Sequence, residues 1–227
     1  MRVRDARRQN RRRTAAFTLV ELLVVIGIIG LLLVIAMTTI SNIGQATQVE
    51  ISANQLKGTI HLARQWAITQ RRTTHVVFPR NVPADRIESG GTVIASNVNF
   101  RAYGVYDETI DPQSGARVIE PVREWTFLSP GVFFDRTPRP TVNIMGLHAS
   151  VSNYRSTNPG VWSDQPTLTF APNGSLASKS TAPEVFLNEG FLAPGATEPT
   201  IQDRGVQISV QVYQWTGLPQ FNRHGED

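Results

Sequence analysis

The 227-residue sequence contains no cysteine. Thiol nucleophiles, disulfides and thiolate metal ligands are therefore excluded. The four histidines, at positions 61, 75, 148 and 224, show no ligand spacing of the H-E-x-x-H kind. The serines near His148 lack the context of a nucleophile elbow. We therefore expect a protein that is not an enzyme and that uses no cofactor and no metal.

Net positive charge is confined to the first 13 residues. Those residues hold seven arginines and one aspartate, a formal charge of +6, whereas the whole chain carries +4 and the remainder −2. The high isoelectric point, about 9.9, is thus a property of the N-terminal segment. This distribution argues against a nucleic-acid-binding protein.

One apolar stretch of membrane length follows the basic segment. No charged residue occurs from Leu22 to Met37. A helix over residues 17–40 would measure about 36 Å, enough for a hydrocarbon core of about 30 Å. Arginines on a short flank favour the cytoplasmic side. We predict a single-pass membrane protein with a cytoplasmic N-terminus and an exported body.

Glu21 is a carboxylate within this otherwise apolar segment. A charge at the centre of a membrane helix costs about 2.5–3.5 kcal/mol and usually has a partner or a function. A secretory signal cleaved after the apolar run, near Ala36, would explain the basic and apolar parts. An uncleaved membrane anchor would explain them as well. Neither alternative accounts for Glu21.

The string Phe17-Thr18-Leu19-Val20-Glu21 resembles the processing site of type IV prepilins and pseudopilins. In that family, prepilin peptidase removes a short basic leader, commonly after glycine, and the new N-terminal residue is N-methylated. The resemblance implies cleavage between Ala16 and Phe17 and methylation of Phe17, with Ala16 in place of the usual glycine. It also implies that Glu21 serves in fibre assembly, where the amine of a neighbouring subunit neutralises its carboxylate.

An amphipathic pattern continues beyond the apolar run. Small and apolar residues recur at spacings of three and four, which places them on one helical face: Ala46, Val49, Ala53, Leu56, Ile60, Ala63 and Ala67. We predict one long N-terminal helix that ends near Arg71-Arg72. Because these residues are small and the repeats few, packing against a sheet is favoured over a coiled coil.

After residue 73 the apolar period changes to two, which is typical of strands. The candidate strands are Thr74–Phe78, Val93–Ala95, Asn99–Tyr106, Val118–Leu128, Val132–Phe134, Thr141–Ile144, Thr167–Phe170, Glu184–Leu187 and Val206–Tyr213. In the last strand, Ile208, Val210 and Val212 alternate with polar residues, which predicts one buried and one solvated face. The pair Asn173-Gly174 predicts a two-residue hairpin turn in which both positions tolerate positive φ.

Three further strings narrow the resemblance to GspH/FimT-type minor pseudopilins. Residues 63–68 match the "ARxxAI" string that ends the helix of that family. Residues 169–175 are similar to its F-x-P-x-G hairpin, and Val210-Gln211-Val212 with Thr216-Gly217 to its last strand and closing turn. Residues 79–165 resemble a longer, lineage-specific loop region.

The resemblance implies an α+β, pilin-like fold in which one long N-terminal helix packs on a mainly antiparallel β-sheet head. Four segments are expected: a leader over residues 1–16, a transmembrane and assembly half-helix over 17–40, an amphipathic half-helix over 41–72 and a periplasmic head over 73–227. The implied protein is a structural minor pseudopilin of a type II secretion pseudopilus, a periplasmic fibre for protein secretion across the outer membrane.

The implied partners are other pilin subunits, prepilin peptidase and the inner-membrane assembly platform. Two alternatives stay open: a minor pilin of a type IV pilus, which could also serve in DNA uptake, and an uncleaved membrane-anchored binding protein of the envelope. N-terminal processing separates the last alternative from the other two.

Two local patterns argue against further ligands. The C-terminal tail offers Arg223 and His224 instead of an arginine cluster, and Arg71-Arg72 beside Trp66 is interpreted as a solvated helix end, so nucleic acid is not an expected partner. The acids of residues 107–111 do not match an EF-hand series and are interpreted as solvated loop residues, without a calcium site.

Overall fold

The computed structural model describes residues 18–80, 88–89, 92–93, 98–115, 117–137, 143–146, 155–156, 165–177, 182–202 and 207–224. Within these ranges only the backbone is described for residues 34–46, 88–89, 92–93, 124, 146 and 155–156. The chain divides into two compact units, Met1–Ile43 and Gly44–Asp227.

Helix α1 runs over Leu19–Gln70, 52 residues, and contributes to both units. It stops where Arg71 takes a left-handed conformation with φ of 52°. The Arg72 amide then donates to the Ala67 carbonyl, five residues earlier, at 3.2 Å. This is one of the two hydrogen bonds that define a Schellman motif. The predicted helix end near Arg71-Arg72 is confirmed.

The predicted inner face of α1 is confirmed from Val49 onward. Six of its members are at most 1% exposed: Val49, Ala53, Leu56, Ile60, Ala63 and Ala67. They share one apolar cluster with residues from both sheets of the head, including Phe78, Leu168 and Val210. The side chain of Ala46, also predicted on this face, lies outside those described. Burial of this stripe holds the second half of α1 against the strands.

Within the described ranges, twelve strands follow the helix: β1 Thr74–Val77, β2 Glu88–Ser89, β3 Thr92–Val93, β4 Ala102–Ile110, β5 Arg117–Phe127, β6 Val132–Phe134, β7 Arg155–Ser156, β8 Thr167–Phe170, β9 Glu184–Phe191, β10 Thr200–Ile201, β11 Gln207–Val212 and β12 Pro219–His224. One sheet has the order β7-β5-β4-β1-β8. A second has the order β10-β9-β11-β12, with β6 also paired to β9, and β2 and β3 form a separate pair.

Among the described strand pairs, the pairing is antiparallel except between β5 and β7. A long N-terminal helix with mainly antiparallel sheets is the α+β class that the sequence predicts. In β4 and β5 the register shifts near Val105, which places an irregularity in the centre of the first sheet. Most predicted strands are confirmed, and their observed ends differ from the predicted ends by a few residues.

The predicted strand Thr141–Ile144 is wrong at Asn143 and Ile144, the two of its residues that the structure describes. Asn143 makes only an isolated bridge to Glu184, and Ile144–Gly146 is a short 3₁₀ turn. The Asn143 side chain explains this, because its amide donates to the Asp135 carbonyl at 2.8 Å and its oxygen accepts from the Met145 amide at 3.0 Å. Such local bonds compete with a strand ladder. Residues 141 and 142 lie outside the described part of the chain.

The face of strand β11 that was predicted to be solvated is only partly so, because Gln207 and Gln211 are partly exposed whereas Ser209 between them is buried. Ile208, Val210 and Val212 face the core, as predicted, and none of them is exposed. The buried Ser209 hydroxyl donates to the Glu184 carboxylate, which is also buried. A polar residue in a central strand can thus be covered by side chains from the flanking strands, which a period-two pattern does not reveal.

The hairpin at Asn173-Gly174 forms, but its turn differs from the predicted one. Only Gly174 has a positive φ, 80°. Its amide donates to the Ala171 carbonyl at 2.8 Å, and the Ala171 amide donates to the Ser175 carbonyl at 2.9 Å. The Asn173 side chain accepts the Ser175 amide at 3.0 Å. This is a three-residue loop with glycine in the left-handed position.

Gly58 lies in the interior of α1 on its exposed face, and a Cβ added there would meet nothing within 4 Å. Glycine in a helix costs about 0.5–1 kcal/mol relative to alanine. We expect Gly58→Ala to stabilise the protein and raise Tm by about 1–4 °C, measured by circular dichroism in detergent. Gly58→Ser should give a smaller rise, and a lower Tm for the alanine variant would contradict the open-surface interpretation.

Candidate functional site

The start of α1 is built from two residues of the predicted processing string. The Glu21 amide donates to the Thr18 hydroxyl at 3.2 Å, and the Leu22 amide donates to the Thr18 carbonyl at 3.2 Å. Thr18 is therefore the N-cap of the helix, and Glu21 stands at the third helical position, as in a capping box. A carboxylate in the first turn is favoured by the positive end of the helix dipole.

The helix that follows exposes apolar side chains on every side. Twelve of them, over residues 19–33, are 45–80% exposed: Leu19, Val20, Leu22, Leu23, Val24, Val25, Ile26, Ile28, Ile29, Leu31, Leu32 and Leu33. A helix that is apolar all round belongs in a hydrophobic surrounding.

The described part of the chain holds no helix with the length and apolarity needed to cross a membrane. The predicted segment over residues 17–40 extends past residue 33, where description of the side chains stops. The segment therefore stays a prediction.

The structure describes one of the three predicted site residues. Glu21 lies exposed on the first turn of α1, and within the described residues no hydrogen bond or ion pair engages its carboxylate. Ala16 and Phe17 lie outside the described residues. Their peptide bond precedes the Thr18 cap in the sequence, so the predicted cleavage would expose an amine next to the N-cap.

The three strings that resemble GspH/FimT-type proteins meet at one place in the head. The Arg64 guanidinium donates through Nε to the Thr216 carbonyl at 2.6 Å. A Cβ on Gly217 would lie 2.0 Å from the Gly174 carbonyl oxygen, and one on Gly174 would lie 2.6 Å from Ile68. We call these five residues the turn latch. The turn latch joins α1 to the turn after β8 and to the turn between β11 and β12. The three strings therefore have a structural role in the head.

Two basic residues considered for a nucleic-acid patch are paired with acids. Arg72 contacts the Asp107 carboxylate at 3.2 Å, and Arg223 contacts the Glu50 carboxylate at 3.0 Å. Pairing lowers the charge that these side chains can offer to phosphates. The expectation that nucleic acid is not a partner stays a prediction.

Two of the three acids that were interpreted as solvated loop residues lie in a strand. Asp107 and Glu108 belong to strand β4, and their side chains are only 8% and 12% exposed. Glu108 contacts Arg117 at 3.2 Å and His75 at 3.4 Å. Only Asp111 stands in the following turn, where its carboxylate accepts local bonds. The interpretation of Asp107 and Glu108 was wrong because β4 continues to Ile110, beyond the predicted end of the strand at Tyr106.

A polar cluster that the sequence analysis missed lies on the outer face of the second sheet. The Ser209 hydroxyl is 2.9 Å from His224 Nε2, and the same nitrogen is 3.4 Å from the Glu184 carboxylate. In a catalytic triad the acid would hold the other ring nitrogen. Here serine and acid share one nitrogen and Ser209 is fully buried, so the cluster is structural. The strand register alone brings these residues together.

Metal binding gains no support from the described residues, where no group of three or more His, Asp or Glu side chains could hold an ion.

The pKa of His61 is lowered, mainly by its partial burial and further by the neighbouring cations Lys57 and Arg64. Burial and these two cations both disfavour protonation of the His61 imidazole.

The family match lies in the part of the chain that holds the processing string and the apolar helix. Residues 11–37 match the family described as "Prokaryotic N-terminal methylation motif". The chain carries the N-methylation motif of type IV prepilins. The matched range contains Ala16, Phe17 and Glu21, and it covers the N-terminal part of the chain only.

Two solved structures show a distant likeness. One is the minor pseudopilin EpsH from the type 2 secretion system of Vibrio cholerae, with 12% identity and a TM-score of 0.38 over 78% of this chain and 97% of that one. The other is the type IV minor pilin FimU of Pseudomonas aeruginosa, with 14% identity and a TM-score of 0.36 over 80% and 90%. No curated protein matches. These likenesses do not distinguish the two kinds of fibre.

Proposed function

We propose that this protein is a minor pseudopilin, a structural subunit of a type II secretion pseudopilus. The observation that carries the proposal is the methylation motif on a capped helix whose apolar side chains are exposed on every side. Prepilin peptidase cleaves between Ala16 and Phe17, Phe17 is N-methylated, and residues 17–40 anchor the protein in the inner membrane with its head in the periplasm.

Assembly depends on a charge pair that exists only after cleavage. The new amine of Phe17 lies next to the N-cap of α1, where the helix dipole disfavours positive charge. A carboxylate from a neighbouring subunit can neutralise this amine, and Glu21 is the acidic residue of the apolar segment. In a low-dielectric surrounding this attraction is much stronger than in water, although desolvation offsets part of it.

The choice of a secretion pseudopilus rests on the head. Its three GspH-like strings meet in the turn latch, and the chain has no cysteine with which to form the disulfide that staples many major pilins. A type IV pilus is the alternative fibre. In either fibre the inner-membrane platform and the other pilin-like subunits are the partners.

We expect the mature protein to begin with N-methylated phenylalanine at position 17 and to lack the 16-residue leader. Edman sequencing and intact-mass spectrometry of protein purified from membranes would measure both changes. A strain without prepilin peptidase is the control and should retain Met1. An intact leader in the normal strain, or a start after Ala36, would contradict the proposal.

A deletion strain separates the two fibres. Under the secretion proposal, loss of this protein lowers the amount of exported protein in the culture medium at least about ten-fold and leaves pilus-dependent motility unchanged. The full-length gene supplied in trans should restore secretion. Lost motility with normal secretion would assign the protein to a type IV pilus.

A further inference from the structure

The turn between β11 and β12 carries an aromatic side chain that is largely in solvent. Trp215 is 83% exposed. The turn itself is closed by two backbone bonds, from the Gly217 amide to the Tyr213 carbonyl at 2.7 Å and from the Tyr213 amide to the Leu218 carbonyl at 3.0 Å. The bond from Arg64 to Thr216 ties it to α1. Because the turn is already ordered, little conformational entropy is lost when Trp215 binds a partner.

A cavity of about 200 Å³ lies at the end of β9. Its lining combines apolar side chains with a carboxylate and two amides, and includes Gln48, Val132, Glu189, Phe191 and Gln202. Phe191 is 48% exposed. Within the described residues no ion pair engages the Glu189 carboxylate. An apolar ring that bears one N–H donor, such as an indole, matches this lining.

The turn and the cavity lie at opposite ends of the second sheet. The Val212 amide, just before the turn, donates to the Pro183 carbonyl at 2.9 Å, just before β9 begins. The cavity lies at the other end of β9, where Phe191 ends the strand. On α1, Gln48 lines the cavity and Arg64 holds the turn, about 24 Å apart at 1.5 Å per residue. Trp215 therefore cannot reach the cavity of its own chain.

We infer that two copies of this protein bind head to tail, with Trp215 of one copy in the Glu189–Phe191 cavity of the next. The indole ring packs against Phe191, and its N–H donates to the Glu189 carboxylate. The charges of the two surfaces are complementary, because the Arg64 guanidinium lies at the turn and Glu189 lines the cavity.

This contact joins two different surfaces of the same chain, so it is heterologous and can repeat without closing. Such a repeat builds a filament. The inference rests on the proposed function and deepens it, because it names the partner that the head contacts in the fibre.

An introduced pair of cysteines reports the contact without background, because the chain has none of its own. Two full-length copies with different tags are expressed together, one with Leu218→Cys next to the turn and the other with Gln202→Cys at the cavity. Treatment of the cells with a short bismaleimide should link the two tags. As the control, Leu218→Cys in both copies should give little product, since a head-to-tail contact keeps equal ends apart.

Substitutions in the cysteine pair test the two sides of the contact. Trp215→Ala in the Leu218→Cys copy should lower the crosslinked product at least about ten-fold, as expected for an aromatic residue that dominates an interface. Glu189→Gln in the other copy should lower it about three- to ten-fold, because a neutral acceptor binds an N–H more weakly. Glu198→Gln is the matched control, since that carboxylate is exposed and contacts Arg136, and should leave the product unchanged.

The outcomes separate this inference from the proposed function. Equal product from Trp215→Ala and its parent, or no product in a strain that processes the leader and builds fibres with the protein, would overturn the contact and leave the proposed function intact. Loss of fibre incorporation in Trp215→Ala without any link between copies would assign the turn to a different partner and also overturn it. Head-to-tail product from a chain that keeps its leader and enters no fibre would contradict the proposed function alone.

Discussion

Replacing Glu21 by valine is expected to lower incorporation of the protein into fibres at least about 100-fold while leaving cleavage and membrane insertion intact. Removing one partner of a buried ion pair costs about 3–5 kcal/mol because the other charge stays buried and unpaired. In the proposed assembly that charge is the new amine at Phe17. Insertion should not suffer, since a charge is removed from an apolar helix.

Fibres sheared from cells and quantified by immunoblot against the membrane fraction would measure this loss. Glu50→Val is the matched control, because it removes the same charge from the same helix. Its contact with Arg223 is exposed, and such pairs contribute about 0–1 kcal/mol, so assembly should stay within a few-fold of wild type. Normal incorporation of Glu21→Val would show that Glu21 does not serve assembly.

The largest expected effect on folding is that of Gly217→Ala. The added Cβ would lie 2.0 Å from the Gly174 carbonyl oxygen, a backbone atom, and φ at Gly217 is 64°. Overpacking costs about 1–3 kcal/mol, and alanine at positive φ adds about 1 kcal/mol. We expect a loss of about 2–4 kcal/mol and a fall in Tm of roughly 4–16 °C for a chain of this size.

Tryptophan fluorescence during heating of the full-length protein in detergent would report this change. Gly195→Ala is the control, because its φ is also positive, 81°, but nothing lies within 4 Å of the added Cβ. It should lose only about 1 kcal/mol. If both variants melt together, close contact between the two turns does not contribute to stability.

The parts of the fold that the sequence predicted are those in which a local pattern and the tertiary surroundings agree. The buried stripe of α1 follows the spacing of its apolar residues, and its end follows from the break in that spacing at Arg71. Most strands were predicted for the same reason. At the candidate site, the residue string predicted Ala16, Phe17 and Glu21, and the match over residues 11–37 covers them.

The features that were missed depend on individual side-chain contacts, which are local at Asn143 and join distant residues elsewhere. Asn143 turns away from a strand through side-chain bonds to backbone groups. Ser209 is buried because Glu184 and His224 come from neighbouring strands. The acids of β4 have cations from other elements beside them. None of these contacts has a periodic signature in the sequence.

The last hairpin is tied to α1 at both ends, by Arg64 to Thr216 at its turn and by Glu50 to Arg223 near its terminus. The two points on the helix are 14 residues apart, about 21 Å at 1.5 Å per residue. A force directed along this part of α1 therefore acts on the β11–β12 hairpin at these two contacts as well as through the shared apolar core. Because both ties are noncovalent, this mechanical coupling does not depend on the redox state of the compartment.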